Sequence, residues 1–403
     1  MSAVWEGYRL RPRTLAGATI LQIVPGSRED AASRVALGIA RTLLRSGARA
    51  VIAGDSGPLA EATRASGAEW LPLASQTVNP LRLRRNVHTL EHFAATERVD
   101  IVHAFGAPAA WAARAAARRM PVWVVTSLPD VPARRSPVAQ FFDAALADGD
   151  RVIAASAYAA RPWVERYRIA ADRVAIIPRA VDTTVFALSQ VAPERVAAIR
   201  AAWTIAPADQ TILVPGRLES ANGQHTLIEV ARTLFNGGAR NIVFVCAGKR
   251  LKGRGAAQEF TRQARARGVE ALFRIVEAPR DLPAALAAAH IVLVPAREPP
   301  PFGRIVAQAQ AMGRPVVVSA LGVLPENLLA PPRMAEALRT GWLVKPNDIA
   351  SIGRALHLAL ALDRPGYQAM AARARQFAEF MFSPESVAAA TRAVYTSLLA
   401  RDD

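Results

Sequence analysis

The sequence predicts an α/β protein made of two parallel-sheet domains in tandem, and three observations predict it. Short apolar runs alternate with amphipathic helical stretches along most of the chain. The alternation stops at a proline-marked break and then restarts. The 403 residues, 52% hydrophobic and 21% charged, are enough for two folded domains that each bury a core.

In the first half the strands read "TILQIVP" (19–25), "ARAVIAG" (48–54), "EWLPLA" (69–74), "DIVHAF" (100–105), "VWVVTS" (122–127), "DRVIAAS" (150–156) and "VAIIPR" (174–179). Helices such as Ala31 to Ser46 and Pro80 to Glu97 lie between them. The break "AVDTTVFALSQVAPERVAAIRAAWTIAPADQ" carries one helix-like segment, Pro193 to Trp203, with proline-marked ends. The second series reads "TILVPGR", "NIVFVCAG", "LFRIVEA", "HIVLVPA", "RPVVVSA" and "GWLVKPND", between Thr211 and Asp348. The expected organisation is a Rossmann-like N-terminal domain over 1–182, a linker over 183–206 and a second Rossmann-like domain over 207–380. A terminal helix within 381–403 is expected to return and brace the first domain. Open parallel sheets bind ligands beyond the carboxyl ends of their strands, so the active site is expected in the cleft where two such domains face each other.

Composition narrows the function. The five residues Ile20 to Val24 are too short an apolar run for a signal peptide, and 282–296 is too short to span a bilayer, so a cytoplasmic location is expected. One cysteine, Cys246, permits neither an internal disulfide nor a multi-cysteine metal site. The net charge of +17 comes from 50 basic residues, all but three of them arginine, against 33 acidic ones. That excess attracts polyanions or anionic lipid, but no aromatic-basic motif accompanies it, so no nucleic-acid partner is expected. No G-x-G-x-x-G occurs, which argues against a nicotinamide or flavin cofactor.

The order of short motifs resembles the retaining glycosyltransferases of the GT-B fold, group 4, of the kind that build bacterial surface polysaccharide. "VHAF", "DRVIAAS", "IPRAVDTTVF", "PGRLESANGQHTLIEVA", "PFGRIVAQAQAMGRPVV", "LPEN" and "TGWLVKPND" follow one another at near-family spacing. The resemblance implies a hexosyltransferase that moves sugar from a nucleotide-diphosphate donor to a saccharide or lipid-linked acceptor, with retention. It implies no cofactor and no metal: basic side chains and helix N-termini would stabilise the departing diphosphate. The donor site would use Arg217 and Asn222 of the Gly-Arg-Leu segment and Phe302, Gly303, Arg304 and Gln308 of the Phe-Gly helix. Glu326 of "LPEN" and Lys249 of the basic run "GKRLKGR" complete it.

The same resemblance shows what is missing. The family glutamates before and after Phe-Gly are Pro300 and Gln308 here, its lysine is Asn222, and the histidine that would meet the donor sugar gives way to Ser127 and Leu128. Glu298, the only carboxylate of the loop, and His103 are the candidate catalytic groups. Glu298 either reaches the sugar or is simply solvated, and a lone His at a strand end is either structural or catalytic. Arg82, Arg84 and Arg85 mark either an acceptor or membrane side, at the inner face of the cytoplasmic membrane, or a solvated helix face. A degenerate GT-B protein, acting as a nucleotide- or glycan-binding partner subunit, is the alternative to an active enzyme.

Overall fold

The computed structural model describes residues 14–25, 31–132, 136–219, 222–248, 255–300 and 303–400. It divides into two compact units. One comprises the chain up to Ala180 together with residues from Pro384 onward, and the other is Val181–Ser383.

The first unit is built on seven parallel strands, β1 (Thr19–Ile23), β2 (Arg49–Gly54), β3 (Glu69–Pro72), β4 (Ile101–Ala104), β5 (Trp123–Ser127), β6 (Arg151–Ala154) and β7 (Val174–Ile176). Their order is β3-β2-β1-β4-β5-β6-β7, so the winding reverses between β1 and β4. The strands are short and β-branched or alanine-rich. All of β1 is buried, as expected of a strand covered on both faces. One face carries α3 (Pro80–Glu97), α4 (Ala107–Ala117), α5 (Pro137–Ala147) and α6 (Ala157–Tyr167), whose buried residues form one cluster with Leu21, Val51 and Val102. The other carries α1 (Ala31–Arg45), α2 (Pro58–Ala65) and the last helix, α14 (Pro384–Leu399). On that face Tyr395, Leu398 and Leu399 of α14 pack with Ile39 and Leu43 of α1.

Helix starts follow local chemistry. The side chains of Asn79, Ser136 and Ser156 accept from backbone amides at the beginnings of α3, α5 and α6, and proline sits in the first turn of α2, α3, α4 and α5.

The second unit repeats the plan with six parallel strands, β8 (Gln210–Pro215), β9 (Ile242–Gly248), β10 (Phe273–Glu277), β11 (Ile291–Val294), β12 (Val316–Ser319) and β13 (Gly341–Val344). Their order is β10-β9-β8-β11-β12-β13, with the reversal between β8 and β11. The intervening helices are α8 (Thr226–Asn236), α9 (Gly255–Ala266), α10 (Leu282–Ala288), α11 (Arg304–Ala311), α12 (Ile349–Leu360) and α13 (Arg364–Phe382).

The segment 183–206, expected to be a linker, is packed within this second unit. Its helix α7 (Pro193–Ala202) lies against α10, and Val191, Trp203 and Ile205 are buried with Ala284 and Leu286. Arg195 adds a two-pronged ion pair to Asp281, both nitrogens at 2.8 Å. The chain passes between the units at Ala180–Val181 and again at Ser383–Pro384. On the second unit's side the Val181 amide donates to the Phe382 carbonyl at 2.7 Å, so the two passages start side by side.

Candidate functional site

In the second unit, the expected donor-site segments gather at the carboxyl edge of the sheet, beside the switch point between β8 and β11. After β8 the chain turns at Gly216, whose φ of 120° suits glycine alone, and reaches Arg217. Arg217 is exposed, with its Nε 3.2 Å from Glu219. An exposed pair of this kind contributes little and is readily exchanged for another anion. The Asn222 Nδ2 donates to the Arg217 carbonyl at 2.7 Å, and the buried Gln224 Nε2 donates to the Gly216 carbonyl at 2.8 Å. These bonds tie Asn222 and Gln224 back to the turn at Gly216 and Arg217.

Two glycines bring neighbouring segments against this turn, and a third sets α11 against Asn327. Gly223 has φ 71°, and a methyl group there would overlap the Pro295 carbonyl, which leads from β11 to Glu298. At the end of β9, a methyl group on Gly248 would overlap the Gly216 carbonyl. A methyl group on Gly303, which caps α11, would overlap the end of the Asn327 side chain, which would have to move. Gln310, in the last turn of α11, donates to the Asn327 carbonyl, which ties the helix to the turn Leu324–Asn327 holding Glu326. The Oε1 atoms of Gln224 and Gln310 are buried without a hydrogen-bond partner among the described residues.

Arg217, Asn222, Glu298, Gly303, Arg304 and Glu326 therefore belong to connected segments at one sheet edge. Glu298 and Arg304 are exposed, and neither forms an ion pair among the described residues. Gln308 is half-buried on α11 and its side chain makes no hydrogen bond there either. Asn222, standing at the family lysine, has its amide engaged by its own loop. Lys249 and Phe302 lie outside the described residues, as do Arg250, Lys252 and Arg254. Among the described residues no group of three or more His, Cys, Asp and Glu could hold a metal ion.

His103 is in the first unit and is committed there. It is 1% exposed on β4, next to Gln22 of β1 in the sheet, with its ring against Phe105 at 4.0 Å between centroids. Its Nδ1 is 2.6 Å from the Tyr395 hydroxyl on α14, and its Nε2 is 2.9 Å from Ser127 Oγ. Burial lowers its pKa from the ordinary 6.5 to about 3, so the ring is neutral. Both nitrogens are spent inside the unit, and the ring has none left for a substrate. Sequence reasoning had no signal for the partner, since Tyr395 stands 292 residues away. Gln224 and Asn327, which shape the site in the second unit, were likewise missed, although each lies within a quoted motif.

Arg82, Arg84 and Arg85 are all exposed in the opening turns of α3 and make no ion pair among the described residues. Leu81 beside them is 74% exposed, while Leu83 and Leu90 are buried. No described helix is long and apolar enough to cross a membrane.

Two all-parallel units, each with its strand order reversed at the centre, define the GT-B class of fold. A glycosyltransferase from Rickettsia africae superposes with a TM-score of 0.74 at 21% identity, over 96% of this chain and 100% of that one. Anabaena HepE, solved with UDP, superposes at 0.69 with 17% identity over 94% and 100%, and its UDP-glucose complex at 0.65 with 18% over 94% and 99%. Residues 32–185 match the family Glycosyltransferase Family 4 and residues 209–361 match Glycosyl transferases group 1, and the chain belongs to these glycosyltransferases. The D-inositol 3-phosphate glycosyltransferase of Nocardia farcinica is 28% identical over 236 residues, which are 57% of this chain and 49% of that protein. The match spans about half the length of the curated relatives.

Proposed function

We propose that the protein transfers a hexosyl group from a nucleotide-diphosphate sugar to a saccharide or lipid-linked acceptor, with retention and without a metal. The observation that carries this reading is the gathering of Arg217, Arg304, the amide end of α11 and the Glu298 loop at one carboxyl edge. As the bond from the anomeric carbon to the diphosphate oxygen breaks, negative charge grows on the leaving group. Two guanidinium groups and a helix N-terminus suit that charge. The acceptor oxygen takes the anomeric carbon on the face the diphosphate leaves, and its proton passes to the released diphosphate. HepE binds UDP and UDP-glucose, which supports a uridine nucleotide as donor.

The cations of α3 support an anionic acceptor or anionic lipid at the first unit, at the inner face of the cytoplasmic membrane. A helix N-terminus disfavours positive charge, so three arginines there serve something other than helix stability. Surface-polysaccharide synthesis is the pathway class that fits such an acceptor.

A second reading, a nucleotide-binding partner subunit without catalysis, is favoured by one observation: the Asn222 amide is tied to the Arg217 carbonyl and supplies no charge to a diphosphate. Incubation with a panel of nucleotide sugars, read by thermal shift and by released diphosphate, tests both. Turnover of any donor supports the enzyme, binding without turnover supports the partner subunit, and the absence of both binding and turnover refutes both readings.

A further inference from the structure

The polar chain from α14 to the end of β5 admits one consistent arrangement of its protons. Tyr395 is fully buried, and its hydroxyl makes its only hydrogen bond among the described residues to His103 Nδ1. Were the phenol to accept from Nδ1, its own proton would be buried without an acceptor, which carries the full desolvation cost of an unsatisfied donor. Tyr395 therefore donates to Nδ1. The ring proton then resides on Nε2 and is donated to Ser127 Oγ. Burial raises the Tyr395 pKa and lowers that of His103, so the phenol keeps its proton and the ring stays neutral.

For Ser127 the consequence is definite. Its oxygen already accepts, so its own proton points away from His103. The residue is half-buried at the carboxyl end of β5, the edge where parallel sheets take ligands. Its place is held by the Leu128 amide on the Ile153 carbonyl at 2.8 Å and by Trp163 Nε1 on the Pro129 carbonyl at 2.9 Å. The opposite tautomer would make His103 a base able to take the Ser127 proton, as in an activated nucleophile. With the ring proton on Nε2, His103 cannot take that role, and Ser127 is left as an outward donor.

We propose that Ser127 donates a hydrogen bond to an oxygen of the bound substrate, a sugar hydroxyl or a phosphate, and that Tyr395 is the positioning residue that keeps it a donor through His103. The substrate's identity rests on the nucleotide-sugar reading above; the proton arrangement does not.

The test has two parts. Ring-nitrogen NMR of histidine-labelled protein should show His103 in the Nε2–H tautomer alone, and Tyr395→Phe, which leaves one ring nitrogen unpaired in either tautomer, should give a mixture. A wild-type Nδ1–H tautomer overturns the proposal whatever the protein binds. Titration with UDP-glucose, UDP and maltose should then shift the Ser127 amide and the His103 Nε2 proton. Shifts with UDP that inorganic pyrophosphate reproduces assign the oxygen to phosphate, and shifts that pyrophosphate does not reproduce, or that appear with UDP-glucose or maltose alone, assign it to a sugar hydroxyl. Ser127→Ala should weaken the effective probe roughly fivefold to tenfold, as loss of one neutral hydrogen bond does, and Ser127→Thr should restore it. Binding of UDP-glucose that leaves both signals unmoved, or equal affinity in Ser127→Ala, refutes the assignment. If no probe binds, the substrate role of Ser127 falls with the nucleotide-sugar reading, and the tautomer shows that the substrate, not the proton chain, was misread.

Discussion

Acid should loosen the first unit through His103. Folded, the ring titrates at about 3, against 6.5 when solvated, because burial penalises its charge. Between those values the unfolded chain holds one proton more than the folded one, so stability rises with pH across the window. The contribution is complete above about pH 6.5 and is lost as pH falls, by about 1.4 kcal/mol per unit, which amounts to about 2 kcal/mol at pH 5. His290 in the second unit is also lowered by burial and by the nearby Arg314 and Arg200, so whole-protein melting would mix the two effects. The clean perturbation is His103→Gln, whose amide can both accept from Tyr395 and donate to Ser127 but does not titrate. Stability is read by urea-dependent hydrogen exchange at the Ile101–Ala104 amides, which report on the first unit. Wild type should lose about 2 kcal/mol more than His103→Gln between pH 7 and pH 5. Equal losses would show that His103 takes a proton without disturbing the fold and would undo the buried, neutral assignment.

The remaining expectations concern ligands. Arg217→Ala should weaken nucleoside diphosphate binding by about tenfold to a hundredfold, since a charge-assisted hydrogen bond is worth roughly 1.5–3 kcal/mol; unchanged affinity by calorimetry would place the nucleotide elsewhere. Gln308→Glu should tighten nucleotide binding by roughly 1 kcal/mol, a charged acceptor being the stronger one. A loss of melting temperature without that gain would favour the partner subunit. Nucleotide affinity should be the same with and without EDTA, and strict dependence on a divalent ion would contradict the metal-free reading. Replacing Arg82, Arg84 and Arg85 with Gln should reduce co-sedimentation with anionic liposomes and leave neutral ones unaffected; identical behaviour on both would end the membrane proposal.

The central strands were legible because they are buried along nearly their whole length, β1, β4 and β12 completely, and a run such as Ile20 to Ile23 reads the same in sequence and in structure. The segments around Arg217, Gly303 and Glu326 were legible as motifs, and the close approaches at Gly223, Gly248 and Gly303 show the physical demand behind their glycines. What was not legible depends on contacts distant in sequence. A proline-bounded helix such as Pro193–Ala202 looks alike whether it hangs in solvent or packs, and it is the burial of Val191, Trp203 and Ile205 around it that distinguishes the two. Nothing local to "VHAF" tells that its histidine is held by Tyr395. Nor does the sequence say that Asn222 spends its amide on the loop that carries it.

The order in which the two units can fold during synthesis follows from where α14 lies. Residues 181–383 form a contiguous unit and can fold while the chain is still being made. The first unit, although translated first, stays incomplete until Pro384–Leu399 leaves the ribosome. Until then His103 has no phenol to bond, and the apolar face of α1 that packs with Leu398 and Leu399 stands open to solvent. The first unit therefore waits for α14. A stop codon just before Pro384 would leave the second unit intact and the first unfinished, a natural substrate for chaperones and proteases.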